Sequence, residues 1–282
     1  MSNFFWYMIL VAIGVFLILF TFYKKKNILN HISFLLSTVS LAYLGEVIIL
    51  FVFEGYRYKT GLLVDSVESD IIGHLLLNGI FWGSLFLIVS VFQLRYYWIF
   101  VISVLLMLIE VLFIRLGLYT QNWWETYMTG ILAIFLLSCT KKWYSSLFYK
   151  PNKYLRLFSF YLIAWVVLVG PSLLLMVFGK HHFGLGLSEN HYLDHVFFGV
   201  PYNLFLSFIC FIFIVYLKNP YWKLAPFIII ITLDFVLLNL NIATFFEGWN
   251  LFYLGQVRYL CLVLFILLER NTLHLSKTTE AK

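Results

Sequence analysis

The chain has 282 residues, of which 63% are apolar, 21% aromatic and only 11% charged, and its mean hydropathy is +0.94. A water-soluble domain carries about 25% charged residues, so this composition excludes a soluble globular protein and makes the lipid bilayer the chain's main partner. The net charge of +6 does not indicate nucleic acid binding, because basic residues also gather in the cytoplasmic loops of membrane proteins.

Continuous apolar runs predict an all-α, polytopic integral membrane helix bundle. Each run has about 20 residues, enough for a helix to cross a hydrocarbon core of about 30 Å. The runs are continuous rather than alternating, which favours helices over a membrane β-barrel. We predict about nine transmembrane helices, at residues 4–22, 31–53, 71–92, 97–117, 123–140, 156–178, 196–217, 222–243 and 250–268.

The distribution of basic residues predicts the orientation of the chain. Of the 19 Lys and Arg residues, 14 fall after the first, third, fifth, seventh and ninth predicted spans. Loops rich in Lys and Arg stay in the cytoplasm. The N-terminus is therefore expected outside the membrane and the C-terminus in the cytoplasm.

A pattern of charged and aromatic residues occurs twice. Asp70, Tyr97-Trp98 and Glu110 recur 124 residues later as Asp194, Tyr221-Trp222 and Asp234. Four helices in each copy would give both copies the same orientation. We predict an N-terminal helix with a basic loop (1–30), a first four-helix repeat (31–140), a basic linker (141–155), a second four-helix repeat (156–268) and a cytoplasmic tail (269–282).

Ionisable residues inside the spans are the candidate site, because a charge in hydrocarbon is costly. Glu46, Glu110 and Asp234 lie about 20 Å from the cytoplasmic end of their spans, at 1.5 Å per residue. Asp70 and Asp194 begin the third and seventh spans at the same outer level. The predicted ligand-binding residues are Glu46, Asp70, His74, Asn78, Glu110, Asp194, Asn203, Asp234 and Asn241, with Arg115 and Arg258 as their counter-ions.

A group of histidines before the seventh span is a weak candidate for a metal site. The imidazoles belong to His181, His182, His191 and His195, and histidine is a common zinc ligand. The first copy has no histidine in the matching loop, and no HExxH-type spacing is present. The sequence therefore predicts neither a metal nor another cofactor, and a hydrogen-bonded or pH-sensitive loop is the favoured interpretation.

These residues leave three functions open. In the preferred one, an outward-facing acidic cleft binds or transports a small cationic or polar solute, with Glu110 and Asp234 as central ligands and Asp70 and Asp194 at its entrance. In the second, the protein is an interaction or sensory scaffold of the cell envelope, and its acids only pair with arginines to hold helices together.

The third function is a membrane lipid-modifying enzyme with His74 or His195 as its base. The sequence has no G-x-S-x-G nucleophile elbow and no phosphate-binding glycine loop. No catalytic residue is assigned, and the sequence leans away from an enzyme. The solute, the oligomeric state and any protein partner are left open.

Short motifs in both halves carry a family resemblance. The second half has Pro201, Tyr221-Trp222, Asp234 and the run Gly248-Trp249-Asn250-Leu251, and the first has Ile109-Glu110 and Asn122-Trp123-Trp124. They resemble an uncharacterised family of four-helix membrane proteins from spore-forming Gram-positive bacteria, here in tandem. The resemblance implies the bacterial cytoplasmic membrane and brings no activity. The chain departs from the family pattern where the first copy lacks the proline and the second has aspartate in place of glutamate.

Overall fold

The computed structural model describes residues 3–62, 65–150, 152–217 and 220–273. The described part is an all-α bundle with nine long helices, which confirms the predicted fold class, and only short strands accompany them. Eight of the helices are long and apolar enough to cross a membrane, and the helix Thr126–Phe148, over the predicted fifth span, is not among them. Residues Lys218, Lys277 and Lys282, used to predict the orientation, lie outside the described part.

The chain forms two compact units, Met1–Arg156 with Leu273–Lys282, and Leu157–Thr272. We call them unit 1 and unit 2. The helices of unit 1 are α1 (Asn3–Lys24), α2 (Ile28–Val52), α3 (Ser66–Val91), α4 (Tyr96–Arg115) and α5 (Thr126–Phe148). Helix α6 (Lys153–Val177) begins at the boundary, and unit 2 continues with α7 (His191–Tyr216), α8 (Ala225–Asn239) and α9 (Leu251–Asn271).

Each unit also holds one two-stranded antiparallel ribbon, which the sequence did not predict. In unit 1, β1 (Tyr56–Tyr58) pairs with β2 (Tyr119–Gln121). In unit 2, β3 (His181–Phe183) pairs with β4 (Ala243–Phe245). Both units therefore run in the order helix, strand, two helices, strand, helix once α1 is set aside. Strands of three residues satisfy few backbone groups, so we attribute their persistence to the side chains that anchor them.

Three helices widen into a π-helical turn. These turns span Val47–Val52 in α2, Leu77–Trp82 in α3 and Phe211–Tyr216 in α7. A π turn inserts an extra residue into the helix and is often found at a functional site. In unit 1 the two turns begin directly after Glu46 and directly before Asn78, so they set where these two side chains point.

Local sequence explains where several helices begin. Asp65 caps α3 by accepting hydrogen bonds from the backbone N–H groups of Val67 (2.8 Å) and Glu68 (3.1 Å). Asn190 caps α7 in the same way, and Asn250 caps α9. A side-chain oxygen at this position satisfies N–H groups that have no partner inside the helix.

Helix α3 forms the centre of unit 1 and packs against α1, α2 and α5. Gly14 of α1 allows the close approach, because a Cβ there would lie 3.0 Å from the carbonyl oxygen of Ile80. In unit 2, Phe160 of α6 packs edge-to-face on Phe265 of α9. Large apolar side chains on the outside, among them Phe16 and Phe252, are exposed, as expected for helices surrounded by lipid.

Candidate functional site

The carboxylate of Glu46 accepts three hydrogen bonds inside unit 1. Its Oε1 atom accepts from the hydroxyls of Tyr56 (2.7 Å) and Tyr58, and its Oε2 atom accepts from Nδ1 of His74 (2.7 Å). All four side chains are buried. A carboxylate that is taken out of water needs such partners, and this one finds them on one helix and one strand.

His74 contacts Glu46 and also Asn78, which lies one helical turn further along α3. Because a carboxylate only accepts, His74 donates through Nδ1, and the amide nitrogen of Asn78 lies 3.2 Å from the same ring atom. The ring of Tyr43 packs on the imidazole with 4.3 Å between centroids. Nε2 of His74 is buried and has no hydrogen-bond partner among the described residues.

The β1–β2 ribbon holds three tyrosines together. Tyr56 and Tyr58 are two residues apart and share a face of β1. Ring centroids are 5.5 Å apart for Tyr56 and Tyr58, 5.1 Å for Tyr56 and Tyr119, and 5.6 Å for Tyr58 and Tyr119. Burial, followed by the negative charge of Glu46, raises the pKa of Tyr56 and of Tyr58 well above 10. Both phenols are therefore neutral donors.

Glu110 of α4 supplies a second carboxylate near the same ribbon. Its Oε1 atom accepts a 2.7 Å hydrogen bond from the side-chain amide of Gln121 in β2. Its Oε2 atom is buried and has no close hydrogen-bond partner in the described part of the chain, and the hydroxyl of Thr129 is the other polar group that interacts with this carboxylate. Burial raises the pKa of Tyr119, and the charges of Glu110 and then Glu46 raise it further, so both acids act electrostatically on this phenol.

Both acids line one cavity of about 470 Å³. Its polar wall consists of Glu46, Tyr56, Tyr58, Asn78, Glu110, Tyr119 and Thr129. The remaining lining is mainly aliphatic and aromatic, and no Lys or Arg of the described residues belongs to it. Ile48 and Phe135 also line it and are 50% and 60% exposed. The cavity therefore reaches the surface where α2 and α5 each present an apolar side chain.

Asp70 and Asp194, near the starts of α3 and α7, bind the segments that precede these helices and do not line this cavity. Asp70 is fully buried and accepts from Nη1 of Arg57 (2.7 Å) and from the backbone N–H of Tyr58 (2.6 Å). Asp194 accepts from the backbone N–H groups of Gly186 (3.0 Å) and Leu187 (2.8 Å). Neither carboxylate is at an open entrance, since each is engaged by its own loop.

In unit 2, Asp234 lies in a buried network of polar side chains. Its Oδ2 atom is 3.3 Å from Nε of Arg258, and its Oδ1 atom accepts from the hydroxyl of Tyr202 (2.7 Å). Nη1 of Arg258 donates to the side-chain oxygen of Asn203 (2.9 Å). Asp234 and Arg258 are 1% and 2% exposed. The charge of Asp234 is thus balanced by Arg258, whereas Glu110 has no such ion pair in the described part of the chain.

Two predicted site residues occupy other positions than expected. Arg115 is exposed at the end of α4 and makes no ion pair with Glu110. Arg57 instead forms an ion pair in unit 1, with Nη1 2.7 Å from Asp70. Asn241 does not share a helical face with Asp234. It is exposed, follows the end of α8 and has a φ of 58°, so it closes the helix in the left-handed conformation that asparagine tolerates.

The histidines of unit 2 form a pairwise cluster around β3. Ring centroids are 5.8 Å apart for His181 and His195, 5.6 Å for His182 and His195, and 5.7 Å for His182 and His191. Nδ1 of His195 accepts from the backbone N–H of Phe183 (3.0 Å). No three His, Cys, Asp or Glu side chains converge on a possible metal position within the described ranges. Burial lowers the pKa of His181 to about 3.

Sequence reasoning missed Tyr56, Arg57, Tyr58 and Tyr119. The alternation of Tyr56-Arg57-Tyr58 directly after Gly55 was an available signal, because two aromatic residues at strand spacing point to one side.

Comparison of the chain with protein-family models, curated proteins and solved structures finds no match.

Proposed function

We propose that this multi-pass membrane protein binds a small cationic or polar solute in the cavity of unit 1. The observation that carries the proposal is the carboxylate of Glu110, which is buried at the cavity wall with no Lys or Arg beside it among the described residues. A buried carboxylate needs a compensating charge or donor, and a cationic solute in the cavity would supply one.

The difference between the units supports a single site. Asp234 obtains its compensating charge from Arg258, whereas no basic residue in the described part lines the cavity beside Glu110. In this proposal Glu46, Glu110 and Asn78 contact the solute, and His74 positions Glu46. Asp70 and Asp194 hold the loops, while Asp234, Asn203 and Arg258 stabilise unit 2.

The test compares Glu110→Gln with the matched variant Asp234→Asn. Purified protein is screened for thermal stabilisation by inorganic cations, organic amines and neutral polar metabolites. We expect at least one cationic compound to stabilise the wild type and Asp234→Asn but not Glu110→Gln, since ligand binding to the folded state raises the unfolding temperature. Equal stabilisation of Glu110→Gln and the wild type by every active compound would refute the proposal.

The network of unit 2 favours the scaffold function for that part of the chain. Its acid is bound by the arginine and the phenol, and the arginine also donates to the amide, while Nη2 of Arg258 has no partner among the described residues. Polar contacts of this kind hold membrane helices together. The lipid-modifying enzyme requires a histidine at the cavity wall. His74 is joined to the cavity through Glu46 and does not itself line it, so we do not propose that activity.

We also propose that the two units derive from one duplicated four-helix unit, related to the family that the motifs resemble. The positions of the ribbons support this, because β3 starts 125 residues after β1 and β4 starts 124 residues after β2. The caps Asp65 and Asn190 are also 125 residues apart. We further propose that the N-terminus lies outside the membrane, on the distribution of Lys and Arg. The proposed bacterial cytoplasmic membrane follows from the family resemblance.

A further inference from the structure

The cavity wall contains a group of aromatic rings that favours one class of cation. Tyr56, Tyr58 and Tyr119 bring three aromatic rings within 5.6 Å of one another, and the ring centroid of Trp124 is 6.0 Å from that of Tyr56. All four rings line the cavity. Aromatic rings grouped in this way bind alkylated ammonium groups, whose diffuse charge is attracted to the ring faces.

The carboxylates are arranged for such a group as well. Glu46 and Glu110 line the cavity beside the aromatic rings. The Oε1 atom of each is occupied by donors of the ribbon, whereas Oε2 of Glu110 has none among the residues described. An alkylated ammonium needs charge compensation but few hydrogen bonds, so a carboxylate without a basic partner in the described part of the cavity wall and a set of rings match its requirements. A small metal ion would need several oxygen ligands converging on one point.

The rest of the cavity is suited to hydrocarbon. Leu10, Phe81, Phe86, Leu106 and Phe113 belong to its lining. Its volume of about 470 Å³ is within the range of about 300–1,000 Å³ found for sites of drug-sized ligands. A small hydrated solute would leave most of this apolar wall in contact with water, whereas an alkyl chain would cover it.

The opening of the cavity lies among helices that face lipid. Ile48 of α2 and Phe135 of α5 are exposed and also line the cavity. Ile48 belongs to the π turn that follows Glu46. An apolar opening on the outer surface of a membrane helix bundle gives access from the bilayer, where an amphipathic amine would already be concentrated.

We propose that the cavity of unit 1 binds an amphipathic alkylated amine that enters from the bilayer, with its ammonium group against Glu110 and the tyrosines and its alkyl chain along the apolar wall. This inference rests on the proposed function and names the class of its solute.

The test measures binding to the full chain in nanodiscs for three probes: nonyltrimethylammonium, tetramethylammonium and nonanol. Wild type is compared with Glu110→Gln, and Asp234→Asn is the matched control. Partition of each probe into lipid is the same for all three proteins, so the difference between them isolates the site. We expect Glu110→Gln to weaken binding of nonyltrimethylammonium at least about tenfold, with Asp234→Asn unchanged.

Two further expectations make the result specific. The wild type should bind tetramethylammonium at least about tenfold more weakly than nonyltrimethylammonium, and Glu110→Gln should not change binding of nonanol. A second variant, Leu106→Trp, fills the apolar wall and should weaken binding of nonyltrimethylammonium more than that of tetramethylammonium.

The outcomes separate the two proposals. If an inorganic cation or tetramethylammonium binds the wild type at least as tightly as nonyltrimethylammonium and Glu110→Gln abolishes this binding, the amphipathic amine is refuted and the cation site stands. If no probe or cation distinguishes Glu110→Gln from the wild type, both proposals fail.

Discussion

At the scale of single residues, the ion pair between Asp234 and Arg258 in unit 2 leads to a prediction about the free energy of unfolding. Arg258→Met leaves the carboxylate of Asp234 buried without its counter-ion, and losing one partner of a buried pair costs about 3–5 kcal/mol. Arg258→Met should therefore lower the free energy of unfolding by about this amount, as measured by denaturant unfolding in detergent. The double variant Arg258→Met/Asp234→Leu should recover most of the loss, because no charge is left buried.

Arg115 offers the matched control for that experiment. It is also an arginine at the level of an intramembrane acid, but it is exposed and makes no ion pair in the described part of the chain. Substitutions at such positions usually change stability by less than about 0.5 kcal/mol. If Arg115→Met were as destabilising as Arg258→Met, the assignment of the buried pair would be wrong.

The buried His181 of β3 lets us predict how the stability of the protein depends on pH. An unfolded histidine takes up a proton at a pH of about 6.5, whereas burial, Arg258 and His182 lower the pKa of His181 to about 3. Between these values the unfolded state binds more protons, so stability is complete above a pH of about 6.5 and falls as the pH is lowered towards 3. His181→Asn should flatten part of this dependence in unfolding curves.

The exposed His191 is the control in the pH experiment. His191→Asn is the matched substitution, at an imidazole that is exposed instead of buried. Identical slopes for the wild type and His181→Asn would show that the buried imidazole is not the group whose protonation destabilises the fold.

At the scale of elements, the β1–β2 ribbon depends on one glycine of α3. A Cβ at Gly73 would lie 2.6 Å from Cγ of Tyr58, so Gly73→Ala must displace the ring that donates to Glu46. Overpacking of this kind costs about 1–3 kcal/mol. We expect a lower unfolding temperature and faster hydrogen exchange at residues 56–58.

The matched control for Gly73 is a helical glycine with free space around it. A Cβ at Gly170 of α6 would meet nothing within 4 Å, and alanine is favoured over glycine in a helix by up to about 1 kcal/mol. Gly170→Ala should therefore leave the protein unchanged or slightly more stable. A stabilising Gly73→Ala would contradict the packing of Tyr58 against α3.

At the scale of the whole molecule, the distribution of basic residues predicts the membrane topology. Single cysteines replacing Glu54 and Glu247 should react with a membrane-impermeant thiol reagent from outside the cell, in a background without the three native cysteines. Cysteines replacing Lys25 and Lys142 should react only after the membrane is permeabilised, because Lys-rich loops stay in the cytoplasm. The reverse labelling pattern would show that the orientation is inverted.

Much of the architecture was predictable, because lipid leaves few alternatives to apolar helices. The ribbons were not predicted, since an alternation as short as Tyr56-Arg57-Tyr58 shows which side chains share a face but is too short to predict a strand by itself. Nor does the sequence carry a signal for the π turns beside Glu46 and Asn78. The acids themselves were found, but Glu110 and Asp234 appeared equivalent. Only three-dimensional contacts show that Asp234 has Arg258 at 3.3 Å and that Glu110 has no such partner.

Trp124 gives the cavity an optical signal of its own. Its indole donates a 2.8 Å hydrogen bond to the hydroxyl of Thr129, and both residues line the cavity, as does Trp82. Indole emission depends on the polarity and charge of the immediate surroundings. We therefore expect the emission wavelength and intensity of two of the nine tryptophans to change when the cavity fills. Occupancy can then be followed by the intrinsic fluorescence of the unlabelled protein.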